Sequence, residues 1–221
     1  MLTASDLKSL LRTHGLRLTK RLGQHHLIDA RAIGRVVDGC ELSRRDVVVE
    51  IGAGLGALTE PIAERAGRVI AIEVDRGIAA LLTQRMVPHA NVTVRCEDVL
   101  EFGWTDLGAV TVVGAIPYHI TSPILVALSA RRAAIHRAVL IIQDEVARRL
   151  LAPPDCGDYG RLSVLAQYGW EVSKLFDIPR SAFFPQPDVD SSCLRLRARR
   201  RPAATVADEG FFFEIVKAAF G

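Results

Sequence analysis

Short runs of β-branched residues alternate with longer stretches of helical period through the middle of the chain. The apolar runs lie at 47–51, 68–73, 91–94, 110–113 and 138–142. Between them, apolar residues recur three and four positions apart, at 57–66, 77–86, 122–131 and 144–151. This alternation predicts an α/β fold, with a mostly parallel sheet and helices on both of its faces.

The pattern changes on either side of this region. Two later apolar runs, 170–178 and 192–196, follow a helix and have no comparable helix between them, which predicts an antiparallel pair that brings the sheet to about seven strands. Further helices are predicted at 4–14, 30–39 and about 208–219. We therefore divide the chain into an N-terminal helical extension (1–45), a main domain (46–200), and a linker with the start of a helical portion (201–221).

Composition and charge narrow the class of protein. The 221 residues are 49% hydrophobic and 24% charged, which is typical of a soluble globular chain. Lys and Arg exceed Asp and Glu by 28 to 25, and a net charge of +3 is too small to indicate a polyanion partner by itself. No leader and no membrane-spanning run is evident, so we predict a cytoplasmic protein without a membrane partner. Nothing requires a dimer, and we expect a monomer.

The four cysteines lie far apart, without a Cys-x-x-Cys pair or paired histidines nearby. This spacing argues against a disulfide framework and against a zinc site. We expect reduced thiols and no bound metal.

A glycine-rich segment follows the first predicted strand. Gly52, Gly54 and Gly56 alternate after the acidic residue Glu50, and Ala57 stands where a dinucleotide fingerprint would need glycine. Such a loop lets backbone N–H groups approach a ligand closely, and without the pyrophosphate spacing it favours S-adenosylmethionine (SAM). The alternative is a tight strand-to-helix turn that binds nothing.

Two carboxylates at later strand ends favour the ligand. Glu73 ends the second strand, where it is able to accept hydrogen bonds from both ribose hydroxyls. Asp98 follows the third strand and is placed to accept from an adenine amino group. Each alone is more often a solvated strand-end charge, but their order along the chain matches a SAM pocket.

Four blocks of the sequence resemble one family. They are KRLGQHHLID at 20–29, EIGAGLGALTEP at 50–61, GAIPYHITSP at 114–123, and DYGRLSV at 158–164 together with AFFPQPDVDS at 182–191. In this order they resemble the rRNA adenine N6,N6-dimethyltransferases of the small-subunit KsgA type, with the Erm enzymes as cousins. The resemblance spans roughly residues 18–200.

The resemblance implies a class I methyltransferase fold and two methyl transfers from SAM to the N6 atoms of adjacent adenosines, which releases S-adenosylhomocysteine (SAH). The implied partner is small-subunit rRNA in an immature 30S particle. The implied donor-binding residues are Gln24, His25, Leu27, Gly52, Gly54, Gly56, Glu73, Asp98, Val99 and Ala115. The family also continues into a small helical RNA-binding domain, which is largely absent from this sequence.

The chain departs from the family at the acceptor motif. Ala115 stands where the family has Asn or Asp, followed by Ile116, Pro117 and Tyr118. In the family the side-chain oxygen and the next backbone carbonyl accept the two N–H bonds of the adenine amino group, while the Tyr ring stacks on the extruded base. The substitution removes one acceptor. It is consistent with an engineered inactivation, with a natural homologue of changed chemistry, or with an enzyme that works through the remaining contacts.

Other residues of the resemblance concern the RNA. Phe183 matches an aromatic residue that faces the target base opposite Tyr118, and the alternative is a core phenylalanine. His26 replaces a usual Phe, and we assign it no role. Independently of the resemblance, an arginine cluster predicts phosphate contacts with the RNA at Arg197, Arg199, Arg200 and Arg201, and the alternative is a solvated charged face.

Three functional hypotheses follow from these residues. The first is a SAM-dependent rRNA adenine dimethyltransferase, impaired by Ala115. The second is a non-catalytic RNA-binding assembly factor of the small subunit. The third is a SAM methyltransferase redirected to another acceptor.

Overall fold

The computed structural model describes residues 2–16, 18, 24–104, 107–117 and 120–220. Within these ranges the strands are β1 (His26–Leu27), β2 (Val47–Ile51), β3 (Arg68–Glu73), β4 (Val92–Cys96), β5 (Val110–Ala115), β6 (Ile135–Gln143), β7 (Trp170–Ile178), β8 (Phe183–Phe184) and β9 (Ser191–Ala198). The helices are α1 (Ala4–Thr13), α2 (Ala30–Gly39), α3 (Thr59–Ala63), α4 (Arg76–Met86), α5 (Thr121–Ala130), α6 (Asp144–Leu151), α7 (Arg161–Gly169) and α8 (Glu209–Ala219).

The main sheet has seven strands among the described residues, in the order β4-β3-β2-β5-β6-β9-β7. The first five of these run parallel, and β9 is antiparallel to both β6 and β7. The predicted α/β class and the predicted antiparallel pair are therefore confirmed. Strand β2 lies between β3 and β5, so that the loops after all three strands meet at one edge of the sheet.

Helices cover both faces of the sheet, as the pattern predicted. One apolar cluster packs α5, α6 and α7 against one face, and buries Leu125, Leu150 and Trp170. The other packs α2 and α3 against the opposite face, and buries Val36 and Ile62. The alternating side chains of β2 divide between the two clusters because neighbouring strand residues point to opposite faces.

The glycine loop shortens one predicted helix. Residues 57–66 have helical period, but the helix covers only Thr59–Ala63. Gly54 and Gly56 have positive φ angles of 55° and 88°, and these left-handed conformations hold the preceding chain in a loop. The loop, rather than a longer helix, therefore forms the surface at the end of β2.

A second, two-stranded sheet was not predicted. His26 pairs with Phe184 and Leu27 with Phe183, antiparallel. Leu27 and Phe183 are buried in the cluster of α2 and α3, whereas Phe184 packs with α1. This ribbon joins the N-terminal segment to the segment before β9, and brings both to the edge of the sheet where the loops meet.

Helix α8 packs on α7. The Tyr168 ring lies 5.1 Å from that of Phe212, and Arg132 donates to the Glu209 carboxylate at 2.6 Å. Phe211 and Ile215, on the same helix, are more than half exposed.

Candidate active site

A cleft opens at the carboxyl ends of β2, β3, β4 and β5. Five segments meet there: the N-terminal segment, the glycine loop after β2, the end of β3, the loop after β4 and the end of β5. The lining residues are Gln24, His25, His26, Ile51, Gly52, Gly54, Ile72, Glu73, Val74, Glu97, Asp98, Val99, Ala115, Pro117 and Ile120. A crevice at this end of a parallel sheet is the usual ligand position in α/β folds.

The glycine loop brings backbone unusually close to its neighbours. A Cβ atom on Gly54 would lie 2.8 Å from two atoms of the His26 ring, and the φ angle of Gly54 already disfavours any other residue. The Gly54 N–H donates to the Glu73 carboxylate at 2.8 Å. The loop and the end of β3 are therefore held together as one wall of the cleft.

Glu73 is the carboxylate at the centre of this wall. Its second oxygen accepts from the Asp75 N–H at 3.0 Å. Burial raises the pKa of Glu73, while the two backbone donors oppose that shift. A carboxylate oxygen has two lone pairs, so each oxygen keeps acceptor capacity for a ligand hydroxyl.

Asp98 lines the cleft from the loop after β4, the strand that pairs with β3. One of its oxygens accepts from the Leu100 N–H at 2.9 Å, which fixes the turn. Val99 follows it and is buried. Together with Ile51 and Ile72, Val99 gives the cleft an apolar surface beside a fixed polar group, which suits a flat heterocycle.

The end of β5 forms the other side of the cleft. Ala115 is half-buried at the last position of the strand, and the Ile116 N–H donates to the Ile141 carbonyl of β6 at 2.9 Å. The Pro117 carbonyl accepts from the Ile120 N–H and the Thr121 hydroxyl, at 3.1 and 3.2 Å. These bonds fix the backbone of this segment, but Ala115 contributes no polar side-chain atom to the cleft.

The N-terminal segment contributes Gln24, His25 and His26 to the cleft lining. Gln24 donates to Asp75 at 3.2 Å, and Asp75 in turn caps the N-terminus of α4. The His25 Nδ1 atom lies 2.7 Å from the Pro185 carbonyl. Since a carbonyl only accepts, Nδ1 carries the proton.

His26 is a neutral, poorly satisfied imidazole in this wall. Its Nε2 atom is buried and has no hydrogen-bond partner among the described residues. Burial lowers the pKa of His26 to about 4, and the neighbouring His25 adds to the effect. The ring is therefore uncharged at neutral pH.

Glu50 precedes the cleft-lining Ile51 in β2 and does not itself line the cleft. It is 1% exposed, and its Oε2 atom has no partner in the part of the chain that the structure describes. Burial raises the pKa of Glu50 to about 8; the Thr59 hydroxyl opposes the shift, and the nearby Glu73 carboxyl adds to it. Glu50 is thus mostly protonated at pH 7.

The cleft brings together most of the predicted site residues. Those that line it are Gln24, His25, Gly52, Gly54, Glu73, Asp98, Val99, Ala115 and Pro117. Four others do not: Leu27, Ile116 and Phe183 are buried at 4%, 2% and 5% exposure, and Gly56 packs against Leu82 of α4. Tyr118 lies outside the described residues.

Phe183 is therefore placed as a core residue, the alternative considered for it. Its ring belongs to the apolar cluster that Ala115 borders. It supports the wall behind the acceptor side, and has almost no surface to offer a base.

Sequence reasoning missed several lining residues. The lining residues without a predicted role include His26, Val74, Glu97 and Ile120. The available signal was their position, since His26 and Ile120 lie within the blocks at 20–29 and 114–123, and the other two adjoin Glu73 and Asp98.

The predicted RNA-contacting arginines lie away from the cleft, and two of them have protein partners. Arg197 donates twice to Glu41 at 2.7 Å, and Arg137 and Arg195 donate to the same carboxylate. Arg199 donates to the Gln167 and Trp170 carbonyls, both at 3.1 Å.

Arg200 and Arg201 are exposed, and neither forms an ion pair with a described residue.

The described ranges hold neither a metal cluster nor a membrane span. No group of three or more His, Cys, Asp and Glu side chains there is arranged to hold a metal ion. No described helix is long and apolar enough to cross a membrane.

The fold and the cleft define a class I SAM-dependent methyltransferase. A dimethyladenosine transferase from Plasmodium falciparum superposes with a TM-score of 0.80, at 26% identity, over 88% of this chain and 70% of that one. The 23S rRNA methyltransferase ErmE superposes with a TM-score of 0.74, at 33% identity, over 86% of this chain and 77% of its own.

The sequence identifies the family within that class. The chain belongs to the ribosomal RNA adenine dimethylase family, whose model matches residues 15–221. A "Ribosomal RNA small subunit methyltransferase A" of Anoxybacillus flavithermus is 39% identical over 227 aligned residues, covering 99% of this chain and 77% of that protein. The protein of the same name from Bacillus mycoides is also 39% identical, with the same coverage.

Proposed function

We propose that this chain transfers methyl groups from SAM to the N6 atoms of two adjacent adenosines in small-subunit rRNA, and that Ala115 slows the transfer. One observation carries the proposal: a single cleft joins the glycine loop and Glu73 to the Ala115–Pro117 segment of the acceptor motif. The names of the small-subunit relatives support the choice of rRNA as substrate. An immature small subunit is the proposed partner.

The cleft residues fit the donor. When bound, SAM supplies an electrophilic methyl group on a cationic sulfur. The Glu73 carboxylate would accept from the ribose hydroxyls, and Asp98 from the adenine amino group. The Gly52 and Gly54 backbone leaves room for the methionine end, and Gln24 and His25 line the same cleft.

The acceptor side must help a weak nucleophile. The lone pair of an adenine amino group is delocalised into the ring, and hydrogen-bond acceptors for its two N–H bonds localise that lone pair. The Ile116 backbone carbonyl is the acceptor that this chain keeps, and Ala115 lacks the second. By analogy with the loss of one polar stabiliser of a transition state, we expect a rate about 10²–10³ lower than with Asn. The proposed chemistry needs positioning and no general base.

Replacing Ala115 by Asn tests the proposal. We expect A115N to raise methyl transfer from labelled SAM to under-methylated small subunits by about 10²–10³. Ala115→Leu is the matched control, since Leu has nearly the size of Asn without an acceptor, and it should not raise the rate. Equal rates for the chain and A115N would refute the role of the missing acceptor.

Ala115 also favours a second candidate. If neither the chain nor A115N transfers a methyl group, while both bind SAH and immature small subunits, the protein acts as a non-catalytic assembly factor. If transfer occurs only to acceptors other than RNA, the chemistry has been redirected.

A further inference from the structure

A second concave surface lies beside the cleft, between helix α1 and strand β8. The residues that matter are Lys8, Leu11, Arg12 and Leu16 on the helix side, with Phe184 and Pro185 opposite. We call this surface the flanking groove. The groove is open to solvent and has a volume of about 600 Å³.

Phe184 gives the groove an aromatic surface. The ring is half-buried against the apolar side of α1, and the Lys8 ammonium lies 5.1 Å from its centroid. An exposed Lys over a ring is held weakly and moves easily on its flexible stem. A nucleobase stacks on such a ring more strongly than an ammonium does, so that it would displace Lys8 rather than be excluded by it.

The charges in the groove are positive and available. Lys8 and Arg12 are exposed, and neither is ion-paired to a described residue. The nearby Asp6 is held in the cap of α1 by the Thr3 N–H and hydroxyl, at 2.8 and 2.7 Å. An aromatic ring next to free cations is the combination with which proteins hold single-stranded nucleic acid.

The groove and the cleft share one thin wall. Phe184 is the register partner of His26, and the Pro185 carbonyl accepts from His25. Both histidines line the cleft on the other side. Since paired strands lie about 5 Å apart, a ligand in the groove is a close neighbour of a ligand in the cleft.

We infer that the flanking groove binds a nucleotide next to the target adenosine, with its base stacked on Phe184 and its phosphate paired with Lys8 and Arg12. This inference rests on the proposed RNA substrate. Charge complementarity favours a nucleic acid over a second copy of the chain, whose own groove is also positive. An acidic peptide is the competing occupant that the test must separate.

The test measures binding of a fluorescein-labelled, adenosine-rich single-stranded RNA by anisotropy, and binding of SAH by calorimetry. Phe184→Leu keeps an apolar side chain but removes the stacking surface, and should weaken RNA binding roughly tenfold without changing SAH binding. Phe184→Tyr should retain RNA affinity. The matched control is Phe176→Leu, since Phe176 is also half-buried under a cation, with Arg35 3.8 Å from its centroid.

A salt titration separates phosphate contacts from general charge. Lys8→Gln should reduce the slope of log affinity against log salt concentration by about 1, the value for one lost phosphate contact, and should leave SAH binding unchanged. An acidic peptide of equal charge should bind F184L as well as it binds the unaltered chain.

Several results would overturn the inference. One is an unchanged RNA affinity in F184L, and another is no RNA binding by the unaltered chain. A third is an equal loss of SAH and RNA binding in F184L, which would mean that Phe184 only supports the β1–β8 ribbon. A peptide that binds in a Phe184-dependent way, and more tightly than RNA, would assign the groove to a protein partner.

The same preparations separate this inference from the proposed function. Suppose that A115N methylates small subunits and that F184L binds RNA as well as the unaltered chain does. This result would refute the proposed role of the flanking groove and support the proposed function. RNA binding that depends on Phe184, without any methyl transfer, would support the groove and contradict the proposed function.

Discussion

Replacing Glu50 by Gln is expected to stabilise the protein at neutral and alkaline pH and to change little in acid. Glu50 lies in β2 at 1% exposure, and burial raises its pKa from 4.5 to about 8. The folded protein therefore holds a proton that the unfolded chain has lost. A raised pKa contributes stability that is present below about pH 4.5 and is lost as the pH rises towards 8.

The size of the effect follows from the shift. One unit of pKa corresponds to about 1.36 kcal/mol, so raising the pH from 4.5 to 7 favours the unfolded chain, with Glu50 deprotonated, by about 3 kcal/mol. Gln resembles the protonated carboxyl and does not titrate. Because the surroundings relax around a buried charge, we expect a measured gain of about 1–3 kcal/mol at pH 7.

Urea denaturation at pH 5, 6, 7 and 8, followed by tryptophan fluorescence, measures this gain. Trp170 is buried and reports on the core. The control is Glu64→Gln, which removes an exposed carboxylate just after α3. The stability of E50Q should fall less between pH 5 and 8 than that of the unaltered chain. Parallel curves for the two would refute the assignment of a buried, protonated Glu50.

Two further predictions concern the wall of the cleft. Burial lowers the pKa of His26 from 6.5 to about 4, so the stability that the neutral ring contributes is lost as the pH falls from 6.5 towards 4. His26→Phe should therefore reduce the loss of unfolding free energy in acid by up to about 3 kcal/mol, as measured by denaturation at several pH values. An equal loss in the variant and the unaltered chain would contradict this. Gly54→Ala should weaken SAH binding at least tenfold in calorimetry while circular dichroism stays unchanged, because its Cβ would meet the His26 ring at 2.8 Å; normal affinity would show that the loop adapts.

Much of the fold could be predicted from the sequence. Hydrophobic period marks strands and helices independently of their neighbours, and it therefore located the five parallel strands and the late antiparallel pair. It carries no information on which strands become neighbours, so the position of β9 beside β6 was not predictable. The β1–β8 ribbon was missed because two-residue strands are too short to show a period.

In the candidate site too, some residues could be predicted from the sequence and others could not. Glu73 and Gly54 were predicted because one ends a strand and the other follows a strand, and the two strand ends meet at one edge of the sheet. The burial of Phe183 was decided by tertiary packing of the ribbon, which a motif does not contain. Arg197 was predicted as an RNA contact, but its partner Glu41 lies more than 150 residues away in the chain, and no local pattern joins the two.

The position of β9 has a consequence for how the chain reaches its folded state. Its residues, 191–198, hydrogen-bond to β6 on one side and to β7 on the other, although both of those strands are synthesised earlier. Until β9 emerges, β6 and β7 each present an unpaired edge that is able to join another chain. A nascent or truncated chain that ends before β9 is therefore expected to aggregate or to need a chaperone. Insertion of β9 is the step that pairs these two strand edges.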